Sequence, residues 1–191
     1  MIKIEQTNSQ HLIFCDVIIE EMELSAKVRG TGIAKRSTEY LSKKIIDGNG
    51  IIALTEANEW AGFCYIETWS DEKFVVNSGL IVAPKFRNIG LARQIKQEIF
   101  KLSRIKFPNA KIFGLTTGLA VMKINSELGY KPITYSEITQ DENFWSGCKS
   151  CVNYEILISK DKKNCLCTAM MYDGNKKINK KEEDEENSIS I

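Results

Sequence analysis

Residues 74–107, FVVNSGLIVAPKFRNIGLARQIKQEIFKLSRIKF, run from an apolar strand pattern into a turn spaced Arg87-x-x-Gly90-x-Ala92, and from that turn into a helical pattern. Such an arrangement can hold an anion with backbone alone. Gly90 has no Cβ, so the main chain can approach a ligand closely, and Ala92 adds only a methyl group. The first amides of a helix have no partner inside it and lie at the positive end of its dipole. A pyrophosphate can be bound there. The helix is read from Ile89, Ala92, Ile95, Ile99 and Leu102, with Lys96, Gln97, Glu98 and Lys101 between them. The three glycines of a dinucleotide G-x-G-x-x-G turn are missing, which sets nicotinamide binding aside.

These residues need a sheet to stand on. Strand patterns cover residues 1–6, 50–56, 60–69 and 73–82, the last three separated by Asn58-Glu59 and Asp71-Glu72 as an antiparallel meander. Helical patterns cover 10–27 and, after Ser37 and Thr38, 39–47. Beyond the anion-site helix, Pro108-Asn109 leads to a strand over 111–117, a helix over 119–128 ended by Gly129, and strands over 132–138, 151–159 and 165–172. The order predicts an α/β (α+β) fold, a mixed and mostly antiparallel sheet with helices on both faces.

Strand, then R/Q-x-x-G-x-G/A, then helix, with the approach Pro84-Lys85-Phe86-Arg87, resembles the acyl-CoA pyrophosphate loop of the GNAT superfamily of N-acyltransferases. The resemblance implies acetyl-CoA or another acyl-CoA as co-substrate, and a splay between the fourth and fifth strands to admit it. It implies that the amides of Arg87, Asn88, Ile89, Gly90, Leu91, Ala92 and Arg93 hold the pyrophosphate, while Ile81 and Val82 align the pantetheine. Leu115-Thr116-Thr117 before a helix ending in Gly129-Tyr130, with Pro132 beyond, is similar to the acyltransferase domain of bacterial N-acetylglutamate synthases. So is Thr31-Gly32-Ile33-Ala34-Lys35-Arg36-Ser37. By that likeness Arg36, with Lys35 beside it, binds a carboxylate of glutamate, and Thr116 and Thr117 lie by the acceptor. Other amines (a polyamine, an aminoglycoside, a protein N-terminus) and acyl-CoA binding without turnover stay open.

The chemistry makes its own demands. An amino-acid acceptor needs a cation for its carboxylate, ideally a guanidinium. Its amine must lose a proton before attacking the thioester. Glu67 is the candidate base, Asn77 and Ser78 can hold a water, and backbone amides near Leu80 to Val82 can polarise the thioester carbonyl. The superfamily's tyrosine acid is replaced by Asn125, whose amide donates hydrogen bonds but is no useful acid. Where the resembling family has a glutamate on the fourth strand, Val76 stands.

Net charge is +1, from 26 basic and 25 acidic residues, which leaves no electrostatic case for nucleic acid or an anionic membrane. No signal-peptide pattern opens the chain and no run approaches the roughly 20 apolar residues of a membrane span, so a cytoplasmic protein with a small-molecule amine partner is expected. A homodimer is left open. Residues 1–173 read as one domain and 174–191 as a charged, disordered tail. Cys148-x-x-Cys151 and Cys165-x-Cys167 invite a tetrahedral zinc site. A hairpin about Asp161-Lys162 would however set Cys165 opposite Ile158 and Cys167 opposite Ile156, away from Cys151. Reduced thiols without zinc are therefore the expectation.

Overall fold

The computed structural model describes residues 1–30 and 36–174; Lys35, with the rest of the 31–35 run, and the tail from 175 onward lie outside the described residues. Runs rich in β-branched and aromatic residues build the first half of the sheet, β2 and most of β3 being buried on both faces. There β1 (Ile2–Gln6), β2 (Gly50–Thr55), β3 (Trp60–Trp69) and β4 (Phe74–Val82) pair antiparallel in chain order. β5 (Lys111–Thr116) joins β4 in parallel, and β6 (Lys131–Pro132) and β7 (Thr168–Tyr172) complete the order β1-β2-β3-β4-β5-β7-β6. This is the mixed, mostly antiparallel sheet that the sequence predicts. β4 and β5 share three pairs, the last being Val76 with Phe113. Beyond it the ladder between them stops.

Helices cover both faces. α3 (Leu91–Lys106) and α4 (Leu119–Glu127) lie on one, where Leu91, Ile95 and Ile99 pack on Ala53, Ala61, Ile66 and Val75. Ile95 and Ile99 are fully buried, contributing about 1.5–3 kcal/mol each. The other face carries α1 (Cys15–Arg29) and α2 (Thr38–Ile46) over Ile52, Phe63, Tyr65 and Ile81. Further along that face, α5 (Glu142–Ser146) and α6 (Tyr154–Ser159) place Trp145 and Leu157 against Phe113, Ala169 and Met171. Two helical caps thus sit on one face, with the end of the β4–β5 ladder between them. No described helix is long and apolar enough to cross a membrane.

Several expected elements differ. α3 starts at Leu91, because Gly90 has φ +81° and turns the chain out of helical geometry; Ile89 is then 59% exposed in the turn, off the apolar face. The predicted first helix opens with a 3₁₀ stretch over Ser9–Phe14, where Asn8 and His11 close a capping box. The strand predicted over 132–138 is only Lys131–Pro132, followed by a 3₁₀ turn that a Thr134–Glu137 capping box closes.

The strand predicted over 151–159 is instead the helix α6. Tyr154 and Leu157, three apart, turn to one side, with Leu157 2% exposed while Ile156 and Ile158 face outward. A short apolar run is ambiguous between strand and helix, and the neighbouring core decides it. β7 begins at Thr168 and pairs with β5, so the hairpin that separated the cysteines does not exist.

Candidate active site

Where the β4–β5 ladder stops, a cavity of about 520 Å³ opens between the two helical caps. Arg36, Tyr40, Glu67, Ser78, Leu115 and Phe144 are among its lining residues. They come from the start of α2, from β3, β4 and β5, and from α5. Strand alternation explains the selection: Glu67 pairs with Val76 across β3 and β4, so the two share a face, and Ser78 lies two residues on.

A bulge fixes the local shape of β4. The register moves from Phe63 with Ile81 to Tyr65 with Ser78, which sets Gly79 and Leu80 of β4 opposite the single residue Cys64 of β3. Gly79 has φ +64°, and a Cβ there would lie 2.5 Å from Tyr65 Cε1 and 2.7 Å from Met22 Cε. Only glycine fits. The Leu80 to Val82 segment therefore leaves the bulge along the unpaired edge of the splay.

Glu67 is 4% exposed and is the acceptor of a converging set of donors. Tyr40 Oη donates to its Oε1 at 2.5 Å, Arg36 Nη2 reaches both oxygens at 3.2 and 3.3 Å, and the Ser78 hydroxyl donates to Oε2. Arg36 Nε donates to Tyr65 Oη at 2.6 Å, and its guanidinium lies 5.5 Å from the centroid of the Tyr40 ring. Burial acts to lower the Arg36 pKa, but Tyr65 and Glu67 outweigh it and hold the guanidinium above its ordinary value. Burial, then the Glu67 charge, raises the hydroxyls of Tyr40 and Tyr65. Both stay protonated at neutral pH, Tyr40 as the donor to Glu67 and Tyr65 as the acceptor from Arg36. The result is a buried carboxylate whose charge is balanced by one cation and whose lone pairs are satisfied.

The anion-site loop follows β4 directly. A 3₁₀ turn over Pro84–Phe86 leads to Asn88 at φ +65° and Gly90 at φ +81°, and α3 then begins with the Leu91 and Ala92 amides, ahead of its first internal bonds; of the amides expected to hold the anion, Arg93 N–H donates to Gly90 O at 3.1 Å and Arg87 N–H to Pro84 O at 3.3 Å. The Arg87 side chain points away from this concavity. Its Nε donates to Val82 O at 3.0 Å, and its Nη2 to Glu21 Oε1 at 2.6 Å and Ser25 Oγ at 2.9 Å. Arg87 thus ties the loop to α1. Arg93 is likewise engaged, with Glu127 of α4 at 2.8 and 2.9 Å. What the loop presents to a ligand is backbone.

Other candidates fall elsewhere. Asn77 faces α3, donating to Ser103 Oγ at 2.7 Å and accepting from Tyr130 Oη at 3.3 Å, on the sheet face opposite Ser78. Asn125 is 2% exposed on the α4 face; its Nδ2 donates to Met170 Sδ at 3.9 Å, and its Oδ1 is buried without a hydrogen-bond partner. Thr116 accepts from the Gly118 amide at 3.0 Å, Thr117 is exposed, and only Leu115 of that run lines the cavity. Tyr40 is a member the sequence reading missed. It stands on the first turn of α2, three residues after the Ser37 cap, and no sequence pattern pointed it toward Glu67.

The far wall carries Cys148, Cys151 and Cys167. These three and Cys165 also line a second, smaller cavity. Burial first, then the neighbouring thiols, push Cys148 up to about 11 and Cys167 up to about 12. Among the described residues no group of three or more His, Cys, Asp and Glu side chains is placed so that it could hold a metal ion as it stands.

The sheet order, the parted fourth and fifth strands and the backbone loop at the α3 N-terminus together define the fold of GNAT acetyltransferases. The solved structures that this chain resembles include N-acetylglutamate synthase from Neisseria gonorrhoeae complexed with coenzyme A and N-acetyl-glutamate, at 17% identity and TM-score 0.63. That match covers 91% of this chain and 35% of the synthase, so the chain spans about a third of the synthase's length. Rv2747 from Mycobacterium tuberculosis, in complex with CoA and NLQ, matches at 13% identity and TM-score 0.63, over 90% of this chain and 98% of that one. The ribosomal-protein-S18-alanine N-acetyltransferase from Escherichia coli matches at 11% identity and TM-score 0.55, over 91% and 94%. No family model matches the sequence, and no curated protein does.

Proposed function

We propose that this chain is an acyl-CoA-dependent N-acyltransferase that moves an acetyl or other short acyl group, such as succinyl, to the α-amine of a small amino acid, glutamate first. The observation that carries the reading is the buried Glu67 carboxylate, held by Tyr40, Arg36 and Ser78 on the wall of a cavity at the β4–β5 splay. The α3 loop holds the donor's pyrophosphate through backbone amides, and the open edge of β4 aligns the pantetheine. The acceptor enters the cavity from the opposite side, its carboxylate drawn to Arg36. Ser78 takes a proton from the ammonium while passing its own to Glu67. The free amine then attacks the thioester carbonyl, polarised by an amide of the Leu80 to Val82 segment. As the C–S bond breaks, the proton still carried by the attacking nitrogen goes to the departing thiolate, a group that titrates near pH 8.5, so no acid is needed at Asn125. The six free thiols support a cytoplasmic setting, and glutamate acylation a place in arginine biosynthesis.

Arg36→Ala separates donor from acceptor binding. Removing one charge-assisted contact, about 1.5–3 kcal/mol, should raise the glutamate KM by about tenfold or more. The acetyl-CoA dissociation constant, measured by calorimetry, should stay near wild type. An unchanged acceptor KM would remove Arg36 from carboxylate recognition.

A further inference from the structure

One 3₁₀ turn and one strand entry, distant in sequence, bring four cysteines to one cavity. Cys148 lies in the 3₁₀ turn Gly147–Ser150, and Cys151 follows it as the cap, its amide donating to Cys148 O at 2.9 Å. Cys165 and Cys167 lie on the segment that enters β7. The Tyr135 hydroxyl pins that segment by donating to Cys167 O at 2.8 Å. All four line a cavity of about 30 Å³ whose other walls include Tyr135, Trp145 and Leu157. The thiols are near enough to act on one another electrostatically.

We propose that this cluster is a structural zinc site with Cys148, Cys151, Cys165 and Cys167 as its four ligands. The donor set is all thiol, which selects a soft or borderline cation and fits tetrahedral zinc. Its spacing, one pair two residues apart on a tight turn and the other one residue apart on an extended entry, lets each pair reach a common point from a separate segment. One outer contact of the kind that tunes thiolate sites is present: the Asn153 amide donates to Cys151 Sγ at 3.4 Å. The four thiols line one cavity, but no three described side chains stand as a ready ligand set, so binding requires them to rotate inward and to release their protons as zinc–sulfur bonds form. Four thiolates leave no open position, which makes the ion a cross-link and not a catalyst. Because Cys148, Cys151 and Cys167 also line the larger cavity, the ion fastens the α5 side of the acceptor wall to β7. The inference is independent of which amine is acylated.

Metal analysis of the full chain, purified without a metal-binding tag under reducing conditions, tests this directly. About one zinc per chain is expected, released when a mercurial reagent blocks the thiols. Cys148→Ser and Cys167→Ser should each lose it, whereas Cys15→Ser and Cys64→Ser, on thiols buried elsewhere, should retain it. Should the serine variants fail to fold, cobalt(II) titration of metal-stripped wild type gives the answer, with the intense visible bands of tetrahedral cobalt–thiolate expected. Substoichiometric zinc together with no such bands, or recovery of the four cysteines as disulfides, overturns the proposal.

Discussion

Glu67→Gln is expected to lower kcat by about 10²–10⁴-fold, the range for loss of a positioned general base. The glutamine keeps the volume and can still accept from Tyr40, but it carries no charge and cannot take a proton from Ser78. Its amide also sets a donor against either Arg36 or Ser78, each of which now donates to Glu67. Arg36 loses its counter-ion in a site where the carboxylate is 4% exposed, so the variant should also unfold more readily, by about 3–5 kcal/mol if the cation stays fully buried. Arg36 retains 20% side-chain exposure, which reduces that cost. Steady-state kinetics with a parallel measurement of acetyl-CoA affinity checks the expectation. The donor site lies on another element, and its affinity should not change. A kcat within a few-fold of wild type in a folded variant would take Glu67 out of the chemistry.

Gly90→Val should weaken acetyl-CoA binding by about a hundredfold or more, the loss of two charge-assisted hydrogen bonds at roughly 1.5–3 kcal/mol each. Its cause is conformational. Gly90 sits at φ +81°, a region that β-branched residues avoid, and the substitution pushes the loop amides out of their concave arrangement. A Cβ at this position meets nothing within 4 Å, so no clash within the protein is created. The fold should survive, and thermal unfolding without ligand should move by only a few degrees. Gly90→Ala should fall between. Calorimetric titration with acetyl-CoA distinguishes the outcomes, and unaltered affinity in the valine variant would mean that the loop does not hold the donor.

The parts of this molecule legible in its sequence are those with local causes. Apolar runs bounded by turn residues placed β1 to β5, and a small-residue turn between strand and helix marked the α3 loop. The Glu67 network was not legible as a whole, since Arg36, Tyr40 and Ser78 meet it only through the β3–β4 register and the two-residue bulge at Gly79 and Leu80. The C-terminal third was misread for a different reason. Ile156-Leu157-Ile158 satisfies a strand as well as a helix, and only packing of Tyr154 and Leu157 against the core makes it α6. Thr134-x-x-Glu137, by contrast, was a capping-box signature open to reading. Replacing the expected hairpin by α6 is what brings the cysteines together.

Release of free thiol from acetyl-CoA by the purified chain, measured across a panel of amines, tests the central claim most directly. The account predicts saturable release with L-glutamate that Glu67→Gln removes. Release only with polyamines, aminoglycosides or peptide N-termini, or binding of acetyl-CoA with no release on any amine, would contradict it.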